Sequence, residues 1–438
     1  MEKFEIKNCY DSHTHFVATG QTSLGLHLQD LKSAADIKNK VILPEYYRGH
    51  WINGFGWNQH LWADAKLPTK EILDSLFPDT PVFLSRVDGH ASWINSAAVA
   101  ELKKNNYNFN QDPVGGRIER DAAGNPTGVL FDQAHIQALL KIPSFSTEQT
   151  TSHIKESFRI FNQAGFTHIR DLSMDSHVAE ILYSLQQKNQ QTACIDGFIT
   201  VENLDDLERG LVDFKKCKAW PNPFLRVHGL KIFLDGSLGS ETAFISQNYS
   251  GTDQRGLLAW SFEEIKSAIH FCWSHQIEIA FHVIGDAAVE VVVKAAREIS
   301  AAGILGKLHL EHVQLLRPDI IHLMKPLHVH CHMQPCHWLS DKSWLKDKIG
   351  DLTQYLFQWE LLRKNKIPVS FGSDSPIEPS SLIRNIAALK DTELHGIPKL
   401  NADFKLFHAH PDWAWTNSKT VFDSEKIHEV HFNGKQII

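Results

Sequence analysis

Asp11-Ser12-His13-Thr14-His15 closes the first stretch of the chain with strand character. Side chains alternate along an extended backbone, so His13 and His15 point to one side. Two imidazoles on one side can grip a single metal ion. Three further segments end in the same fashion. Ile279-Ala-Phe-His282 and His309-Leu-Glu-His312 each deliver a histidine at the end of an apolar run, and Val369-Ser-Phe-Gly-Ser-Asp374 delivers an acid just before a loop. Nitrogen and oxygen donors of this kind suit zinc or a similar divalent ion. Such an ion draws the pKa of a water it binds toward neutrality and polarises a carbonyl. Asp374, placed to touch both metal and water, could accept the proton and later pass it to a leaving group. Lys231, in Leu230-Lys231-Ile232-Phe233, ends one more run. An ammonium binds no cation, whereas a buried neutral amine can add carbon dioxide and offer two carbamate oxygens. On its neighbours alone, Lys231 reads as an ion-pairing residue.

These residues are useful only if the fold gathers them. Short apolar, β-rich runs lie near residues 7–12, 166–171, 193–199, 226–234, 277–283, 307–312, 327–333 and 367–373. Amphipathic stretches at 147–164, 202–216, 261–275 and 286–302 separate many of them. Strands alternating with helices predict βαβ units and a parallel sheet, and eight such units predict closure into a (β/α)8 TIM barrel, an α/β fold. Barrel enzymes carry their chemistry at the C-terminal strand ends, where all these candidates fall. Local punctuation agrees: Ser261 precedes Phe262-Glu263-Glu264 as an N-cap followed by acids, and Gly165 follows Ala164 as a helix stop. Residues 20–145 interrupt the alternation after the first strand and read as a large insertion on the functional face, with small strands of its own. The barrel with its insertion is expected over 1–410, with a short C-terminal segment over 411–438. A hairpin is expected around Asn433-Gly434 near the chain's end.

Composition sets outer limits. The chain has 438 residues and a formal net charge of −7, with no basic cluster of the kind nucleic-acid-binding arms show. No nucleic-acid or membrane partner is expected, and no window is apolar for long enough to span a bilayer. Charges interrupt the first residues, Met-Glu-Lys-Phe-Glu-Ile-Lys, too often for a signal peptide. The six cysteines form no regular framework, which predicts reduced thiols in a cytoplasmic protein. No nucleotide-binding loop and no Gly-x-Ser-x-Gly elbow is present, so nucleotide and serine-hydrolase chemistry are disfavoured.

The order His-x-His, Lys, His, His, Asp on strands one, four, five, six and eight resembles that of the amidohydrolase superfamily. The segments Gly54-Phe-Gly-Trp57, Arg86-Val-Asp-Gly-His90-Ala-Ser-Trp-Ile-Asn-Ser-Ala-Ala98, Lys231-Ile-Phe-Leu-Asp-Gly-Ser-Leu-Gly-Ser240, His282-Val-Ile-Gly-Asp-Ala-Ala288, Glu311-His-Val-Gln314, Met333-Gln-Pro335 and Gly372-Ser-Asp-Ser-Pro376 are similar to its YtcJ-like branch. The resemblance implies a zinc hydrolase of C–N bonds other than peptide bonds, acting on a small molecule. It implies a metal set of His13, His15, Lys231, His282, His312 and Asp374, holding one or two Zn2+ ions, with Lys231 carboxylated. It also implies a β-sandwich built from both chain ends. Only twelve residues precede His13, so that domain is expected to be reduced or missing, and a homo-oligomer is one way to cover the apolar surface this leaves. Two other readings stand beside the first: an ester or cyclic-amidine hydrolase on the same barrel, and a retired enzyme that binds metal without turnover.

His90, in the insertion, is a candidate for catalysis or substrate binding, against the alternative of a loop histidine fixing local structure. Trp57 and Trp93 are candidate substrate-pocket walls, against the commoner alternative of packing. Asp286 is expected to cap a helix or orient His282. His328, His330 and His332 share one strand face near Cys331, Cys336 and His337. That grouping matches no zinc spacing, and alternate barrel residues must fill interior layers in any case, so it is read as core.

Overall fold

The computed structural model describes residues 2–87, 89–113, 116–391, 408, 410 and 415–438. The chain forms two compact units, one of Met1–Thr19 with Ser157–Ile438 and one of Gly20–Glu156. Residue 411, where the C-terminal segment is expected to begin, lies outside the described residues.

The first unit is the barrel. Its strands are β1 (Tyr10–Thr14), β2 (His168–Met174), β3 (Cys194–Val201), β4 (Leu225–Phe233), β5 (Glu278–Val283), β6 (Lys307–His312), β7 (His328–Met333) and β8 (Val369–Phe371). All neighbours pair in parallel and in chain order, with β1 next to β2. The barrel closes between its ends: Thr14 bridges Ser375 in parallel, and the Asp374 amide donates to His13 O at 2.7 Å. Close approach at this seam requires glycine, since a Cβ on Gly372 would lie 2.4 Å from the His13 nitrogen. The eight strands match those expected from the sequence, with ends shifted by a few residues.

Helices Asp206–Cys217, Phe262–Ser274 and Asp286–Ala301 run between successive strands. The last buries Val289, Val292, Val293, Ala296 and Ile299, a helical-period stripe. Ser261 caps its helix as expected, in a capping box with Glu264. The barrel lumen is unusually polar toward its N-terminal half. Asp196, His228, Glu278 and His309 are linked there, and Arg170 lies 4.3 Å over the Phe198 ring.

Strand Phe4–Lys7 pairs antiparallel with Lys419–Phe422, which continues into Ile427–Phe432 and Lys435–Gln436. This four-stranded sheet joins the two ends of the chain. Its last hairpin turns at Asn433 and Gly434, both left-handed, as type I′ geometry requires.

The second unit carries a mixed sheet of its own. Trp51–Trp57, Val82–Arg86, Ala91–Ile94, Pro126–Asp132 and Gly116–Arg120 are adjacent in that order. Apolar side chains cover both faces, Trp57 and Trp93 within one cluster and Trp51 and Phe83 within the other. Among the described residues, no helix is long and apolar enough to cross a membrane.

Candidate metal centre

β1 supplies His13 and reaches His15 one residue past its end, β4 supplies Lys231, β5 His282, β6 His312, and the loop after β8 Asp374. All six lie at the C-terminal end of the barrel. His13 Nε2 and His15 Nε2 stand 3.3 and 3.4 Å from Asp374 Oδ1. The His13 and His312 rings are 4.6 Å apart, and those of His282 and His312 4.3 Å. One ligand atom each from His13, His312 and Asp374 fits within a 4.8 Å span. Lys231 Nζ sits 4.1 Å from the Phe233 ring, which in turn faces His15 and His282.

Two of these groups arrive through uncommon backbone. His312 has φ +72° and Asp374 φ +62°, left-handed conformations that non-glycine residues rarely adopt. Along β6, strict alternation sends His309 and Glu311 to one side and His312 to the other. The left-handed turn at His312 swings its ring to the side Glu311 already occupies. Backbone strain of this kind clusters at functional sites.

Surrounding groups hold the ligands in place. His13 donates from Nδ1 to Glu311 Oε2 at 2.6 Å, which fixes the proton on that nitrogen and leaves Nε2 with its lone pair. Glu311 Oε1 accepts from Arg170 at 2.8 Å. His15 Nδ1 meets Ser173 Oγ at 2.5 Å. His337 Nε2 lies 3.2 Å from Asp374 Oδ2. Of the two roles expected for Asp286, capping a helix or orienting His282, the place beside His282 is taken by Asp235, whose Oδ1 is 3.7 Å from His282 Nε2. Asp235 is fixed by three backbone amides, of Phe244, Ile284 and Gly285. Asp286 opens its helix and accepts from the Ser246 amide and Arg317, so it ties a loop down rather than orienting a ligand.

Burial dominates the electrostatics. It pulls His282 down to about 3, with the Lys231 charge adding to the effect, and holds His312 well below its usual range. Both imidazoles are therefore neutral at neutral pH, the form that ligates metal. Burial opposes the charged form of Asp374 too, but His13, His15 and His337 outweigh it and keep the acid ionised. Lys231 falls to about 8 through burial, against the pull of Glu311 and Asp374.

His13 Nε2, His282 Nδ1, His312 Nδ1 and Lys231 Nζ are all buried and make no hydrogen bond. A buried polar atom without a partner costs about 1–3 kcal/mol. Four in one place mark a centre short of a partner, and a divalent cation fits the lone pairs of the three imidazoles. Lys231 fits the same centre only as a neutral amine or its carbamate, because an ammonium would repel the ion.

The remaining candidates belong to the second unit. Trp57 and Trp93 are completely buried, and their indole N–H groups donate to Leu84 O at 2.8 Å and Thr69 O at 2.9 Å. Enclosed indoles with satisfied N–H groups pack a core, so the wall roles expected of them give way to packing. His90 is exposed, with Nδ1 3.2 Å from Asp132 Oδ1. An aromatic wall exists at the barrel centre, and it is Phe233. Its ring is stacked at 13° to that of His15 and remains 43% exposed. Sequence reasoning passed over Phe233, Glu311, Arg170, Ser173 and Asp235, and grouped His337 with the β7 histidines rather than with Asp374. The one signal for Phe233 was its shared strand side with Lys231, two residues earlier.

The profile of the amidohydrolase family matches residues 10–392. Across 379 residues the chain is 31% identical to the YtcJ protein of Bacillus subtilis (strain 168), a match over 84% of this chain and 70% of that one. It is 25% identical over 283 residues to the N-substituted formamide deformylase of Arthrobacter pascens, covering 60% of this chain and 49% of the relative. Among solved structures, an uncharacterized metal-dependent hydrolase from Pyrococcus furiosus superposes with a TM-score of 0.71 at 24% identity, covering 95% of this chain and 81% of the other.

Proposed function

The chain belongs to the amidohydrolase family, and from that premise we propose that it is a zinc hydrolase cleaving a non-peptide, amide-type C–N bond of a small molecule. The observation that carries this reading is the convergence of four buried, unpartnered nitrogens beside an ionised Asp374 at the C-terminal end of the barrel. His13, His15, His282, His312 and Asp374 would hold one or two ions, with Lys231 joining them as its carbamate. Bound there, zinc would supply Lewis acidity toward a carbonyl and a water of lowered pKa.

The chain's own residues do the rest. Asp374 Oδ1 faces both His13 and His15, while His337 steadies Oδ2. The carboxylate is thus ionised and oriented to take a proton at Oδ and return it to the departing nitrogen. Glu311 keeps the His13 lone pair on Nε2. Phe233 offers an apolar face to the part of the substrate that does not react. The formamide deformylase relative supports a C–N bond over an ester. Six free, buried cysteines support a reducing, cytoplasmic location.

Asp374→Asn tests the reading, since it keeps shape while removing the proton acceptor. Turnover of N-formyl and N-acyl amines should fall by about 10²–10⁴-fold with zinc still bound. Zinc bound equally well by both proteins, with no turnover in either, would instead identify a retired enzyme that binds metal.

A further inference from the structure

His309 on β6 and His330 and His332 on β7 form a second imidazole cluster in the barrel lumen, sharing no residue with the centre above. One ring nitrogen from each lies within a 4.8 Å span of the others. The ring centroids are 6.0 Å apart for His309–His330, 5.2 Å for His309–His332 and 4.3 Å for His330–His332. Strand pairing makes the cluster, because His309 and His330 are register partners and His332 follows on the same side of β7. The earlier grouping of His328 with Cys331, Cys336 and His337 dissolves. His328 is exposed, and His337 belongs to Asp374.

We infer that His309, His330 and His332 form a second, buried site for a first-row divalent transition ion, with Zn2+ as its natural occupant. Two of the rings are anchored from behind as ligating histidines are. His309 Nε2 lies 2.8 Å from Glu278 Oε2, and His330 Nε2 lies 2.9 Å from Ser370 Oγ. The Glu278 carboxylate can only accept, so it fixes the proton on His309 Nε2 and leaves Nδ1 its lone pair, and the Ser370 hydroxyl can accept from His330 Nε2 in the same way. His309 Nδ1 points to His332 Nε2 at 2.9 Å. His332 Nδ1, the other nitrogen of that ring, is buried and makes no hydrogen bond, so it is free to take the proton that Nε2 would give up to an ion.

The chemistry of the donors selects the ion. Three imidazoles without a thiolate suit zinc, nickel or copper, and a harder ion such as magnesium or calcium would prefer oxygen. The surroundings tolerate the added charge. The Glu278 carboxylate abuts His309, and Arg170, whose charge reaches His330 and His332, is paired with Glu311 at 2.8 Å. Burial also keeps His330 and His332 uncharged and ready to ligate. With ligands on β6 and β7 only, such an ion would pin two neighbouring strands, a structural task separate from the reaction.

The test is zinc content by elemental analysis after equilibration with Zn2+ and removal of free ion. It compares wild-type protein, His330→Gln, His13→Ala/His15→Ala and the three substitutions combined. The site predicts that His330→Gln removes about one ion per chain from either background, with unchanged circular dichroism. Equal zinc with and without His330→Gln in both backgrounds overturns it, and zinc lost only through His13 and His15 would leave the hydrolase reading standing alone. Should His330→Gln fail to fold, anomalous diffraction at the zinc edge from zinc-soaked wild-type crystals decides. A peak among the three rings supports the site, and no peak there overturns it.

Discussion

Glu311 shows what one side chain does for the centre. It is fully buried, one oxygen holds His13 and the other holds Arg170. Burial works against its charge, yet Arg170 and His13 draw its carboxyl down to about 2. Glu311→Gln therefore has two separable effects. Zinc affinity, read by chelator competition, should weaken by about 10–100-fold as His13 loses its anchor. Stability, read by urea denaturation, should fall by about 3–5 kcal/mol because Arg170 is left buried without its counter-charge. Phe233 offers a different readout. Phe233→Ala should raise KM about tenfold for substrates with bulky apolar groups, the worth of one lost aromatic contact, and leave kcat near its original value. A fall in kcat at constant KM would place Phe233 among the reacting groups instead. At this scale the sequence was legible for residues at strand ends and illegible for their supports. Glu311 and His312 are adjacent and cannot share a side in a regular strand. Only the left-handed backbone at His312 lets both face the centre, and no residue type announces that turn.

Strands and helices were the most legible part, because each has its own periodicity and its own stop signals. The apolar run ending at His282 and the Ser261 cap sit where their patterns put them. Lumen polarity was less legible, since His228, His309 and Glu278 look like scattered polar residues until barrel closure brings them together. Their coupling makes a prediction at the level of neighbouring strands. Burial lowers the pKa of His228, but Asp196 on β3 and Glu278 on β5 outweigh it and raise it to about 9. A raised pKa means the folded state binds the proton more tightly than the unfolded chain. The stabilisation is thus complete below the unfolded value of about 6.5 and is lost as pH rises through about 9. The stability gap between wild-type protein and His228→Gln should narrow across that window in urea denaturation. A gap constant across it would show that His228 is not charged in the folded state. The closing seam makes a second prediction. A Cβ at residue 372 would press on the His13 backbone, so Gly372→Ala should cost about 1–3 kcal/mol of stability and weaken zinc binding together with it.

Across the molecule, the barrel was readable from eight strand-like runs and the amphipathic stretches between them, whereas the internal order of the second unit was not. Its sheet mixes parallel and antiparallel pairings, and its tryptophans are spent on two cores rather than on a pocket. At this scale the proposed function is that of a metal-dependent hydrolase. The measurement that reaches it most directly is turnover of a panel of N-formyl and N-acyl amines by metal-depleted protein, titrated back with Zn2+. A metal-dependent hydrolase gives no hydrolysis when depleted and activity that returns with zinc, saturating at about one to two ions at the reaction centre. Hydrolysis undiminished by depletion, or folded, zinc-loaded protein that cleaves none of the panel, would contradict it.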